Sequence, residues 1–134
     1  MMQTVVAGGD PSTEMRRVHD GCRRIVDTLL TSICPGVTFD QAAQNAEKAL
    51  QPLAGKVFFS GVFGYTVGAQ FPPSWVEGSG FIARGGNVEF RPGMVFHLPI
   101  CLRIPGQWGI GCSETILVTD AGAEPITDNP WTLG

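Results

Sequence analysis

The sequence lacks most of the features that announce a partner or a compartment. No apolar run approaches the ~20 residues that a bilayer-spanning helix needs, and the first residues hold neither the basic stretch nor the apolar core of a secretory leader. These absences predict a cytoplasmic protein with no membrane partner. Charge is scarce at 16% Asp, Glu, Lys and Arg, with a net charge of −3 and a pI near 5.2. The basic residues are scattered, so there is no electrostatic footprint for nucleic acid. Cys22, Cys34, Cys101 and Cys112 form no Cys-x-x-Cys pair, which argues against a local zinc knuckle or redox motif. They read as buried free thiols in a reducing compartment. No Ser-His-Asp or Cys-His arrangement carries a local motif, and Gly61 to Gly68 lacks the lysine and helix start of a phosphate loop. There is no internal repeat.

What is present is punctuation. Eighteen glycines and ten prolines separate apolar runs rather than massing in a tract, so the composition is that of a folded chain and not a disordered one. With 134 residues and 43% hydrophobic content, residues 1–134 are expected to form one domain that buries roughly two-thirds of its unfolded surface.

The N-terminal Thr4-Val5-Val6-Ala7 is a candidate edge strand that stops at Gly8-Gly9. Asp10-Pro11-Ser12 then signals a helix start. Met15, Val18, Cys22, Ile25, Val26, Leu29, Leu30 and Ile33 recur at three- and four-residue spacing, which predicts an amphipathic helix of about five turns. Arg16, Arg17, Asp20, Arg23, Arg24 and Asp27 form its solvated face, and His19, beside the apolar stripe, is expected on the helix surface. Cys34-Pro35-Gly36 breaks the helix. Thr38-Phe39-Asp40-Gln41 fits a capping box opening a second helix to about Leu50, whose small apolar side lets it lie close against an antiparallel neighbour.

After Pro52 the pattern becomes extended. Short strands are expected at Lys56–Phe59, Gly78–Ala83 and Asn87–Phe90, with Gly61 to Gly68 a loop or irregular strand and the proline-rich Phe71-Pro72-Pro73-Ser74-Trp75 unsuited to a central strand. Arg91-Pro92-Gly93 is a turn. A strand leaving it at Met94 would place Met94, Phe96 and Leu98 on one face, with Val95 and His97 on the other. A glycine-rich link then leads to a strand at Ser113–Thr119, closed by Asp120-Ala121-Gly122, and the two strands are expected to pair. The fold class is α+β: two antiparallel helices packed on a mainly antiparallel curved sheet.

Several of these segments together resemble the pita-bread family, which includes methionine aminopeptidases, prolidases, aminopeptidase P and creatinase. They are Pro35-Gly36-Val37-Thr38 between the helices, Gly64-Tyr65-Thr66-Val67-Gly68, Arg91-Pro92-Gly93-Met94-Val95-Phe96, and Ser113 to Asp120 followed by Gly122, Glu124 and Ile126-Thr127. Phe71-Pro72-Pro73-Ser74-Trp75 looks most like the Xaa-Pro dipeptidase, creatinase and ectoine-hydrolase branch. Family enzymes carry two similar halves, and this chain resembles the second. The first half supplies two aspartates of a dinuclear metal site, and the second a histidine and two glutamates. At those three second-half positions this chain has Tyr65, Pro99 and Ser113, with Glu114 next to the last.

The resemblance therefore implies a half-length hydrolase relative without an autonomous metal site or cofactor. If it is active, its substrate would be small and peptide-like, or carry another C–N bond; the alternative is a non-catalytic module, a truncated or diverged copy that binds a ligand or partner and performs no reaction. The candidate catalytic residues are His97, for proton transfer, and Glu114, to activate water or orient substrate. The alternative reading, which the residues favour, is that His97 is a satisfied structural histidine. A one-residue slip along a strand turns a side chain to the opposite face unless a bulge restores it, which leaves Glu114 a candidate only. Tyr65 and Trp75 are candidate substrate-binding residues: Tyr65 through its hydroxyl or else as a ring capping the core, Trp75, like Trp108, lining a cleft or else covering a loop. Glu77 and Glu89 read as solvated. A lone half would expose apolar surface and strand edges, so the expected partner is a second copy or a complementary half-domain.

Overall fold

The computed structural model describes residues 2–68 and 80–133. Helix α1 spans Thr13–Ser32 and starts where the Ser12 hydroxyl accepts from the Met15 N–H at 3.1 Å. Helix α2 spans Phe39–Leu50. Its capping box is complete: Thr38 Oγ1 accepts from Gln41 N at 3.2 Å, and Thr38 N donates to Gln41 Oε1 at 2.8 Å. A single 3-10 turn, Gln51–Leu53, follows. Five strands complete the described residues: β1 (Gly64–Thr66), β2 (Phe81–Ile82), β3 (Val95–Ile104), β4 (Trp108–Thr119) and β5 (Gly122–Pro125). They form one antiparallel sheet in the order β2-β1-β3-β4-β5.

Three expected strands are shorter or differently bonded than their sequences suggest. Phe58 makes one bridge, exchanging N–H···O bonds of 2.7 and 3.1 Å with Arg103, and Lys56–Phe59 goes no further into the sheet. Of Gly78–Ala83, the described part pairs only at Phe81–Ile82. Val88 to Phe90 bonds not to the sheet but to the link between the helices: Phe39 N donates to Val88 O at 2.9 Å, Gly36 N to Phe90 O at 3.1 Å, and Phe90 N to Val37 O at 2.9 Å. An extended sequence specifies extended backbone and leaves open which neighbour satisfies it. Likewise Thr4–Ala7 is not a strand. Met2 bridges Ser113, and the Thr4 hydroxyl serves the Gly111 backbone at 2.8 and 2.9 Å.

The largest departure is the glycine-rich link, which is sheet. β3 continues through Pro99 to Ile104, and β4 begins at Trp108. Only Pro105-Gly106-Gln107 turns. The register is continuous from Val95↔Leu117 to Ile104↔Trp108, with no bulge. Gly93 has φ of +87°, the left-handed backbone that glycine adopts without steric cost, and its N–H donates to Val118 O at 2.8 Å, which fixes that register from the outer end.

Both helices cover the same face of the sheet. Phe96, Leu98, Ile100 and Leu102 of β3 and Ile110, Cys112, Ile116 and Val118 of β4 are buried there with Val18, Cys22, Ile25, Val26 and Leu29 of α1. Each large apolar side chain so buried contributes on the order of 1.5–3 kcal/mol. Ala42, Ala43 and Ala46 are buried on α2, and Phe39, Phe90 and Phe96 pack in tilted and edge-to-face contacts with ring centroids 4.6 to 5.3 Å apart. The opposite face is left open by both helices. Two of the four cysteines, Cys22 and Cys112, are buried free thiols as expected, whereas Cys34 and Cys101 are only partly buried. Contact with the Cys112 thiol, then burial, pushes the Cys22 thiol well above its usual range.

Candidate functional site

The open face acquires its chemistry from one row across three strands. Tyr65 of β1 pairs with His97 of β3, which pairs with Thr115 of β4, so the three side chains stand in line on the face that no helix covers. His97 Nδ1 lies 3.4 Å from Thr115 Oγ1, and the Tyr65 ring centroid is 5.5 Å from that of His97. All three are partly exposed. Burial lowers the His97 pKa below 6.5, so the imidazole is neutral at neutral pH and able to accept a proton. Close approach of β1 to β3 depends on Gly64, since a Cβ there would stand 2.7 Å from Leu98 Cδ2 and 3.1 Å from the His97 carbonyl oxygen.

Two residues along the hairpin, Pro99 pairs with Ser113, both on this same face. The Ser113 hydroxyl is buried without a hydrogen-bond partner, its N–H donates to Met2 O at 2.9 Å, and Asn129 Nδ2 donates to its carbonyl at 3.3 Å. The three positions that the family resemblance aligns with metal ligands, Tyr65, Pro99 and Ser113, thus do gather on one face. The donor set does not suit a pair of divalent ions: a phenol, a ring with no side-chain donor atom, and a neutral hydroxyl. Among the described residues no group of three or more His, Cys, Asp or Glu side chains could hold a metal ion.

Glu114 is brought to a different place from His97. With no bulge in β4, the alternation that puts Ser113 and Thr115 on the open face turns Glu114 toward the helices, opposite Leu98 and between Cys112 and Ile116. It is 2% exposed. Its Oε2 accepts from Thr127 Oγ1 at 2.7 Å, and that hydroxyl accepts in turn from Thr115 N at 3.0 Å. Among the described residues, Glu114 is therefore hydrogen-bonded to the His97 row through Thr127 and the Thr115 backbone.

Trp75, with Glu77, lies outside the described residues. Trp108 opens β4 and packs partly buried against the core. His19, expected on the helix surface, is instead 5% exposed, because Trp131 of the C-terminal segment covers it edge-on at 6.2 Å between ring centroids. Burial lowers its pKa. Thr115 was not singled out in the sequence. Its membership in the row follows from the hairpin register, which is invisible while Cys101–Cys112 reads as a link.

The chain is 34% identical over 70 residues to an ectoine hydrolase of Halomonas elongata, covering 52% of this chain and 17% of that protein. It is 26% identical over 125 residues to an Xaa-Pro dipeptidase of Lactobacillus delbrueckii, covering 91% of this chain and 32% of that one. The fold of the X-Pro aminopeptidase of Thermotoga maritima superposes with a TM-score of 0.83 at 24% identity, over 96% of this chain and 35% of that structure. The chain spans about a third of the length of the relatives that it matches from end to end. The model of metallopeptidase family M24 matches residues 1–120, and the chain belongs to that family.

Proposed function

We propose that this chain is a half-domain of the Xaa-Pro dipeptidase and aminopeptidase P type that holds no dinuclear metal site of its own and works when its open face is completed by a second copy or a complementary half-domain. The observation that carries this reading is the set Tyr65, Pro99 and Ser113, which stands on the open face where ligands are expected and offers neither carboxylate nor imidazole. The face itself supports it. Phe81, 41% exposed, pairs with Tyr65, and Val95 and Leu117 flank the row only partly covered.

The reaction that this face suits is metal-independent hydrolysis of a C–N bond in a small peptide-like substrate; the likeness to an ectoine hydrolase supports hydrolysis alone. His97 takes the proton of the attacking water and returns it to the leaving nitrogen, with Thr115 holding Nδ1 and the Tyr65 hydroxyl holding the substrate. Trp75 keeps its candidacy as a substrate contact. Glu114 acts as a positioning residue through Thr127. Such a protein would work in the cytoplasm.

The test is hydrolysis of an Xaa-Pro dipeptide and of a cyclic amidine, before and after chelation, by the assembled protein. The reading expects turnover indifferent to chelator and lowered roughly 10²- to 10⁴-fold in His97→Ala. Turnover restored only by divalent metal would overturn the metal-independent reading. Unchanged turnover in His97→Ala would remove His97 from it.

A further inference from the structure

On the helix side of the sheet Glu114 lines a cleft of about 170 Å³ with Asp27 and Leu30 of α1 and with Thr127, Asp128 and Trp131 of the C-terminal segment. Thr127 occupies Glu114 Oε2, but Oε1 is buried with no hydrogen-bond partner. A buried carboxylate oxygen without a donor is costly, and native proteins nearly always supply one. Here the described residues supply none.

The walls say what kind of donor fits. Asp27 and Asp128 are exposed and add two further carboxylates, and no lysine or arginine is among the lining residues. Arg23 meets Asp27 only at 3.7 Å in an exposed pair, which leaves that carboxylate largely to solvent. Trp131 adds an aromatic wall, and its position is built. Its φ is +51°, uncommon for a residue with a side chain, and the Asn129 side chain holds it there, accepting from Trp131 N at 2.9 Å while donating to Ser113 O at 3.3 Å. A metal ion matches poorly, because these carboxylates do not form a group able to hold one.

We propose that this cleft binds a small primary ammonium group, whose N–H donates to Glu114 Oε1, whose charge answers the carboxylates, and which rests against the Trp131 ring. The site faces away from His97 but shares Glu114 and Thr127 with the function proposed for the open face, so its test reads binding and not turnover.

The test is a titration of the full chain with methylammonium chloride, followed by NMR at the Trp131 indole N–H and the Thr127 amide. Sodium chloride at equal ionic strength, tetramethylammonium chloride and magnesium chloride are run in parallel. The expected result is a saturable shift with methylammonium, weakened about tenfold or more in Glu114→Gln and about two- to threefold in Asp128→Asn. Tetramethylammonium, lacking an N–H, should bind markedly more weakly. Asp128 is exposed, so its variant serves if Glu114→Gln does not fold. No saturable shift, or the same shift with sodium, would overturn the proposal. So would equal affinity in a folded Glu114→Gln, an unchanged curve in Asp128→Asn where Glu114→Gln does not fold, or tighter binding of magnesium.

Discussion

Burial decides the behaviour of individual residues more than their chemical type does. His19 and His97 both have folded-state pKa values below 6.5, in each case chiefly because burial disfavours the charged ring. The unfolded chain therefore binds these protons more readily than the folded one. Their contribution to stability is complete above pH 6.5 and is lost as the pH falls through the lower folded-state values. The melting temperature should thus decline from about pH 7 toward pH 5, and His19→Leu should flatten part of that decline while leaving the His97 share. An unaltered pH profile in His19→Leu would show that the ring is solvated. In the core, Phe96→Ala should cost about 3–5 kcal/mol of unfolding free energy in denaturant titration, since Phe96 is wholly buried among Phe39 and Phe90. At this scale the sequence was half legible. The faces of Phe96, Leu98 and His97 followed from alternation alone, but the burial of His19 depends on Trp131, 112 positions away (131 − 19), and no local pattern carries such a contact.

At the scale of elements, local chemistry located what is locally determined. Both helix starts were readable because the Ser12 and Thr38 caps are satisfied within three residues. Thr38→Ala should cost about 1 kcal/mol, measurable as a shift of the denaturation midpoint without change of slope. The strands were harder to read. Glycines at 106, 109 and 111 look like loop, yet Gly109 and Gly111 pair in the ladder, and only the partner strand makes that backbone regular. The Arg91-Pro92-Gly93 turn is the opposite case, fixed by its own residues. Gly93→Ala, forced to φ of +87°, should destabilise by roughly 1 kcal/mol or more. A loss near zero would mean that the turn relaxes and does not set the β3–β4 register. That register separates His97 from Glu114, so the division of the candidate site into two faces is a property of the hairpin and not of either residue.

At the scale of the molecule, one sheet face is closed by α1 and α2 and the other bears the row Tyr65, His97 and Thr115 with partly covered apolar neighbours. The M24 resemblance was visible in the order of the motifs, since each is a short turn or strand signature. What completes the open face is not written locally, because complementarity belongs to two surfaces at once. On the function proposed above, a second surface of the same kind supplies it and no metal pair does. Light scattering for native mass, combined with elemental analysis of the same sample, tests that most directly. The account predicts a particle of twice the 14.3 kDa chain with well under one divalent ion per chain. A monomer carrying two tightly bound divalent ions would contradict it.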